Sequence, residues 1–209
     1  MSFNKAMHHV RRSAAIHQQG NFSGRNYLTL DITAMDDLRF PVGRFQRPAS
    51  LSPEQRRAAI DTIASAPMNL RAAIRGLDET QLDTPYRPDG WTVRQVVHHV
   101  PDSHMNAFIR FKLALTEDTP TITPYDEAAW AKLADTQTTP TEVSLTLLDC
   151  VHDRWLRVLR AMSASDFERT LNHPENGIMN LDQMLALYEW HGRHHVAHVT
   201  NLRDRNGWS

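Results

Sequence analysis

The chain reads as an all-α protein, an antiparallel four-helix bundle. Three observations lead there. Four long segments carry apolar residues at helical spacing behind start signals, turn-forming loops separate them, and neither a strand–helix–strand alternation nor an internal repeat is present. A length of 209 residues suits one domain with a sizeable core.

Residues 1–34 mix His, Arg, Gln, Asn, Ser and Gly without a sustained apolar period. They are expected to be a flexible N-terminal extension, with a docking helix over Lys5 to Gln18 as the alternative. Residues 35–209 form the bundle domain. RFPVGRFQRPASL (39–51) has prolines and a glycine among aromatics and reads as an irregular strap on that domain. The first helix starts behind Ser52 with Pro53 at its first position and runs to about Leu77, with a kink at Pro67. The second opens with the capping box Thr92/Gln95, and Val93, Val96, Val97, Val100, Phe108, Phe111 and Leu115 form its apolar face. Pro101 is expected to bend it one turn beyond His99, unless neighbours absorb the lost hydrogen bond. Residues 117–138 are a long loop with a short helix over Glu127 to Leu133. The third helix begins at Thr139-Pro140-Thr141-Glu142, read as cap, first-position proline and capping box, and continues through Leu145, Leu148, Trp155, Leu159 and Met162. A connection with a β-like turn near Asn176-Gly177 leads to the fourth helix, capped by Asn180, running from Leu181 to about Arg205 and ending near Gly207.

Composition narrows the function. A net charge of −1 removes any global electrostatic case for nucleic acid or an anionic membrane as partner. No apolar run is long enough to span a bilayer, and the N-terminal stretch lacks the apolar core of a signal peptide, so a cytoplasmic protein is expected. The single cysteine, Cys150, excludes a disulfide framework and a thiolate-rich zinc site, and is expected to be a small buried apolar residue.

Histidine is over-represented. Of twelve, seven fall in two clusters: His98, His99 and His104, then His191, His194, His195 and His198. On a helical wheel with Met184 at zero, His191 falls at about −20° and His195 at about +20°, in the middle of the apolar stripe. An unpartnered buried imidazole costs about 1–3 kcal/mol per polar group. A shared metal ion removes that cost, because each neutral ring offers a lone pair at about 2.0–2.1 Å. The H-x-x-x-H spacing matches that of zinc proteases, but Gly192 and Arg193 stand where their glutamate would be, which disfavours a protease. On the second helix His99 and His98 lie about 120° and 140° off the apolar centre, on opposite flanks. Periodicity does not choose between them.

The stretch GWTVRQVVHHVPDSHMNAFIRFKLALTED, followed by PYDEAAW and later by ALYEWHGRHHVAHVTNLR, closely resembles the YfiT-like branch of the DinB superfamily. RFPVGRFQRP and LRAAIRGLDETQLDTPYRPDGW resemble it too, so the likeness covers about residues 38–208. The resemblance implies a four-helix bundle with a three-histidine site for one divalent metal per subunit, zinc first and nickel as the alternative. It puts the first ligand eight residues after Trp91, at His99, with His98 as fallback, and the other two at His191 and His195. It also implies a homodimer. The reaction class it implies is metal-dependent hydrolysis of a small-molecule substrate by an activated water. Metal-dependent S-transfer with a low-molecular-weight thiol such as bacillithiol or glutathione is the runner-up, and a non-catalytic, metal-stabilised binding module the third reading.

Around the site, Asp102 is a candidate for orienting a ligand imidazole. Tyr125, Asp126 and Trp130 are candidates for a lid, and His194 and His198 for local hydrogen bonding or proton transfer. Tyr188 and Trp190 are read as core. His152 and His173 carry no functional expectation.

Overall fold

The computed structural model describes residues 38–208. The expectations for residues 1–34, a flexible extension or a helix, lie outside the described residues. Four long helices dominate: α1 (Pro53–Ile74), α2 (Val93–Thr116), α3 (Thr141–Ala161) and α4 (Leu181–Asn206). Short helical turns at Glu79–Leu82, Glu127–Trp130 and Ala134–Thr138 decorate the connections. An antiparallel hairpin, β1 (Thr170–His173) and β2 (Gly177–Asn180), precedes α4.

Local chemistry sets the helix ends. Ser52 with Gln55, Thr92 with Gln95 and Asn180 with Gln183 form reciprocal capping boxes, each satisfying two otherwise orphaned backbone donors. Gly207, left-handed at φ 64°, closes α4. Gly76 at φ 78° helps end α1 at Ile74, short of the expected Leu77. The box expected at Thr139 does not form. Pro140, extended at ψ 137°, is itself the cap of α3 and has no side-chain donor or acceptor to offer. Pro67 and Pro101 sit inside unbroken helices.

Around the bundle the order is α1–α4–α2–α3. Contacts along the seams give the directions. Arg56 meets Asp182 and Arg203 meets the Ala73 carbonyl, so α1 and α4 run parallel. His98 meets Ser144 and Phe111 meets Trp155, so α2 and α3 do too. Ile63 meets His152 while Arg71 meets Glu142, and His99 faces His195 while Arg110 faces Tyr188; α1/α3 and α2/α4 are therefore the antiparallel pairs. Two parallel neighbours need a crossover, which explains the long 117–140 connection between α2 and α3.

The core is divided. One apolar cluster gathers Ile63, Phe111, Trp155, Leu159, Leu181 and Met184. The other gathers Leu70, Val93, Val96, Val97, Leu148, Val199 and Leu202. Between them lies a layer of buried histidines: His99, His104, His152, His191, His194, His195 and His198.

The strap is pinned to the start of α4. Arg47 reaches the Asn176 and Ile178 carbonyls and Gln183, and the Leu51 amide donates to Asp182. Asp182, 1% exposed, also accepts two bonds from Arg56 at 2.7 and 2.8 Å. Removing Asp182 leaves the part-buried Arg56 guanidinium without its counter-ion. Asp182→Ala is expected to lower unfolding free energy by about 3 kcal/mol, read from the urea midpoint at unchanged slope.

Candidate metal centre

Two antiparallel helices bring three imidazoles together. α2 supplies His99, about two turns past its cap, and α4 supplies His191 and His195 on one face. Their rings are 6%, 6% and 7% exposed, and one nitrogen from each lies within 4.8 Å of the others. His99 Nε2 and His191 Nε2 are 3.3 Å apart. Two donors on one ion at about 2.0–2.1 Å with a tetrahedral angle stand about 3.3–3.4 Å apart, so this spacing fits a shared divalent cation. Trp91 packs against both helices' contributions, its ring 4.7 Å from that of His99 and 6.3 Å from that of His195. His195 Nδ1 is buried without a hydrogen-bond partner.

The rings are held neutral. Burial, with His194 adding, pushes His99 down to about 3. Burial and neighbouring histidines hold His104, His191 and His195 well below the usual imidazole range. Burial also lowers His152, to about 4. Neutral imidazole is the metal-binding form.

Of the candidates read from sequence, His99, His191 and His195 come together. His98 points the other way: its Nδ1 is 2.7 Å from Ser144 Oγ on α3. Asp102 makes no hydrogen bond to the three imidazoles. Half-buried on the flank of α2, its carboxyl is raised to about 6 by burial and by Asp135. His194 and His198 bond each other at 3.0 Å, and His198 stacks on Tyr86. Asp126 caps the turn at Glu127–Trp130, which is shorter than expected, and Tyr125 packs on Trp130 at 4.4 Å. That segment reaches the cavity over the histidines through Glu127 and Ala128 instead. Tyr188 is core, as read, whereas Trp190, though buried, also lines the cavity over the histidines. Cys150, expected buried, is exposed: it lies outside the Leu148, His152, Trp155 stripe that faces the interior.

Four residues near the site were missed. His104 Nε2 lies 3.1 Å from His191 Nδ1, and His104 Nδ1 lies 2.7 Å from His152 Nε2. Ser103 Oγ approaches His191 Nε2 at 3.4 Å. The wheel carried the signal for two of them, since His104 falls only about 20° from Val93 and His152 follows Leu148 by one turn. Glu127 had no such signal. It lines a cavity of about 510 Å³ whose floor includes His99, His191 and His195 and whose walls include Phe40, Phe45, Trp91, Leu187 and Trp190. Burial, with Glu175 and Asp126 adding, lifts its carboxyl to about 7.

The buried imidazoles couple folding to pH. In the unfolded chain each titrates near 6.5, whereas the native rings resist protonation to about 3 for His99 and about 4 for His152. Below pH 6.5 the unfolded state therefore binds more protons, and stability falls as pH falls. Metal-free protein is expected to lose up to about 1.4 kcal/mol per pH unit per histidine between pH 6.5 and 4, a slope that urea denaturation at stepped pH measures. Above pH 7 these histidines contribute no slope.

The model of the DinB superfamily matches residues 62–199. A protein of Bacillus mycoides named "putative metal-dependent hydrolase" is 52% identical over 174 residues, 83% of this chain and all of its own. A protein of Bacillus cereus strain B4264 with the same description is 53% identical over the same span. Among solved structures, YfiT from Bacillus subtilis superposes with a TM-score of 0.81 at 48% identity, covering 83% of this chain and 99% of its own. It is described as "a probable metal-dependent hydrolase with an unusual four-helix bundle topology". Among the described residues, no helix is long and apolar enough to cross a membrane. The chain belongs to the DinB superfamily.

Proposed function

We propose that the chain is a metal-dependent hydrolase of a small-molecule substrate, with one divalent ion, zinc or nickel, held by His99, His191 and His195. The observation that carries this reading is the convergence of three neutral imidazoles on the floor of a cavity with a carboxyl group on its wall. Held by these residues, a divalent ion would supply Lewis acidity towards a water and a substrate carbonyl. Three protein donors leave room for an exchangeable one, which suits catalysis better than a closed structural site.

The chain's own residues supply the rest. Glu127, with its carboxyl near 7, is poised to accept the proton of an attacking water and return it to the leaving group. The aromatic walls hold the apolar part of a substrate beside the histidine floor. The relatives named as hydrolases support the reaction class.

Elemental analysis of purified protein is expected to give about one metal per chain, and His195→Ala to abolish it; full metal in that variant overturns the ligand set. Glu127→Gln is expected to keep the metal while turnover on an ester and amide panel falls about 10²–10⁴-fold, with loss of the activity rise through pH 7. Turnover that requires an added low-molecular-weight thiol assigns S-transfer instead. Metal-dependent melting without any turnover assigns a binding module.

A further inference from the structure

A continuous chain of hydrogen bonds leaves the histidine floor and crosses the bundle to α1. From His191 Nδ1 it passes to His104 Nε2 at 3.1 Å, from His104 Nδ1 to His152 Nε2 at 2.7 Å, and from His152 Nδ1 to the Ile63 carbonyl at 2.9 Å. Its far end fixes its polarity. A carbonyl oxygen only accepts, so His152 Nδ1 must carry the proton. The three rings are buried and none bonds a carboxylate, so each is neutral and has one N–H and one lone pair. His152 Nε2 then accepts from His104 Nδ1–H, and His104 Nε2 accepts from His191 Nδ1–H. What remains on His191 is a bare Nε2, the atom that lies 3.3 Å from His99 Nε2.

The carbonyl is available for a reason written in the sequence. In a helix the Ile63 oxygen would accept from the amide four residues on, but residue 67 is proline and has no amide hydrogen. A buried carbonyl without a donor costs about 1–3 kcal/mol, and His152 satisfies it. Beside this point α1 and α4 approach closely: a Cβ on Gly192 would lie 3.4 Å from Ala66 Cβ and 3.7 Å from His104 Cε1.

We propose that His152 and His104 are positioning residues that lock His191 in the Nδ1–H tautomer, so that its Nε2 lone pair is permanently presented to a metal ion. The chain starts from a carbonyl that Pro67 frees and acts through orientation alone. Metal binding draws on the Proposed function, but the tautomer is a property of the metal-free protein.

Two-bond ¹H–¹⁵N correlation spectra of the full-length, metal-free protein test it directly. The expected pattern is a protonated Nδ1 and bare Nε2 on His191, with the same on His104 and His152; a protonated Nε2 on His191 overturns the proposal, whether or not the protein binds metal. His104→Leu, which keeps the apolar packing, is expected to leave His191 in mixed tautomers and to weaken zinc binding by roughly 10–100-fold in a competition titration. His104→Gln, whose amide can donate and accept in the same order, is expected to recover most of that loss. Unchanged zinc affinity in a folded His104→Leu variant overturns the role, whereas failure of the unmodified protein to bind zinc overturns the Proposed function and leaves the tautomer result standing.

Discussion

The cost of burying uncharged imidazoles in the middle of an apolar core is the constraint on which the rest of this structure depends. Seven histidines form the layer that separates the two apolar clusters. Each has two ring nitrogens, and neither can be left dry without loss. The bundle meets part of that demand with histidine itself, through the His194–His198 bond and the chain from His191 to His152, while His194 Nδ1 and His195 Nδ1 stay without a hydrogen-bond partner. Three rings converge on the cavity floor, where one another and Ser103 are within reach and the spacing could hold a cation.

Topology decides which solution is open. Because α2 and α4 are antiparallel neighbours, residue numbers fall on one as they rise on the other, and His99 with His195, His104 with His191 and Arg110 with Tyr188 form successive rungs. Because α2 and α3 run parallel, the His104–His152 pair follows the His98–Ser144 pair in the same direction along both helices. A plain up-and-down bundle would place these residues differently. The crossover 117–140 required by the parallel pair is also what carries Glu127 and Ala128 to the cavity. The same connection thus makes the helix order possible and supplies the cavity's acidic wall.

Much of this was legible in the sequence. The Thr92/Gln95 capping box, the caps at Ser52 and Asn180, the proline start of α1, the glycine stop of α4 and the apolar stripes follow from local chemistry, and so did the bundle. The pair His191 and His195 stood out because helix periodicity alone puts both in mid-stripe. His99 did not: on its own wheel it is as far from the apolar centre as a surface residue, and only the approach of α4 on that flank buries it. Residue resemblance chose it where periodicity could not. The failures share a cause. Asp102 was read from its spacing to His99, but spacing along one helix says nothing about which neighbour covers that flank. Cys150 was read from its residue type, yet its position on α3 faces outward. At Pro140 the first-position rule was applied one residue early, since the backbone is still extended there.

Proline in a helix usually reads as a defect, and both internal prolines were first taken as kinks. Pro67 shows how the lost hydrogen bond becomes a resource. The amide it lacks would have occupied the Ile63 carbonyl; without it, that oxygen faces α3 and takes the ring of His152. An acceptor that cannot donate is what gives a chain of ambivalent imidazoles a direction, because every ring could otherwise flip its tautomer and leave the hydrogen bonds equally satisfied. All four helices take part: α1 supplies the fixed end, α3 and α2 the two intermediate rings, and α4 the ring at the cavity floor. The geometry of the candidate metal centre is consequently a property of the whole bundle rather than of the two helices that line it.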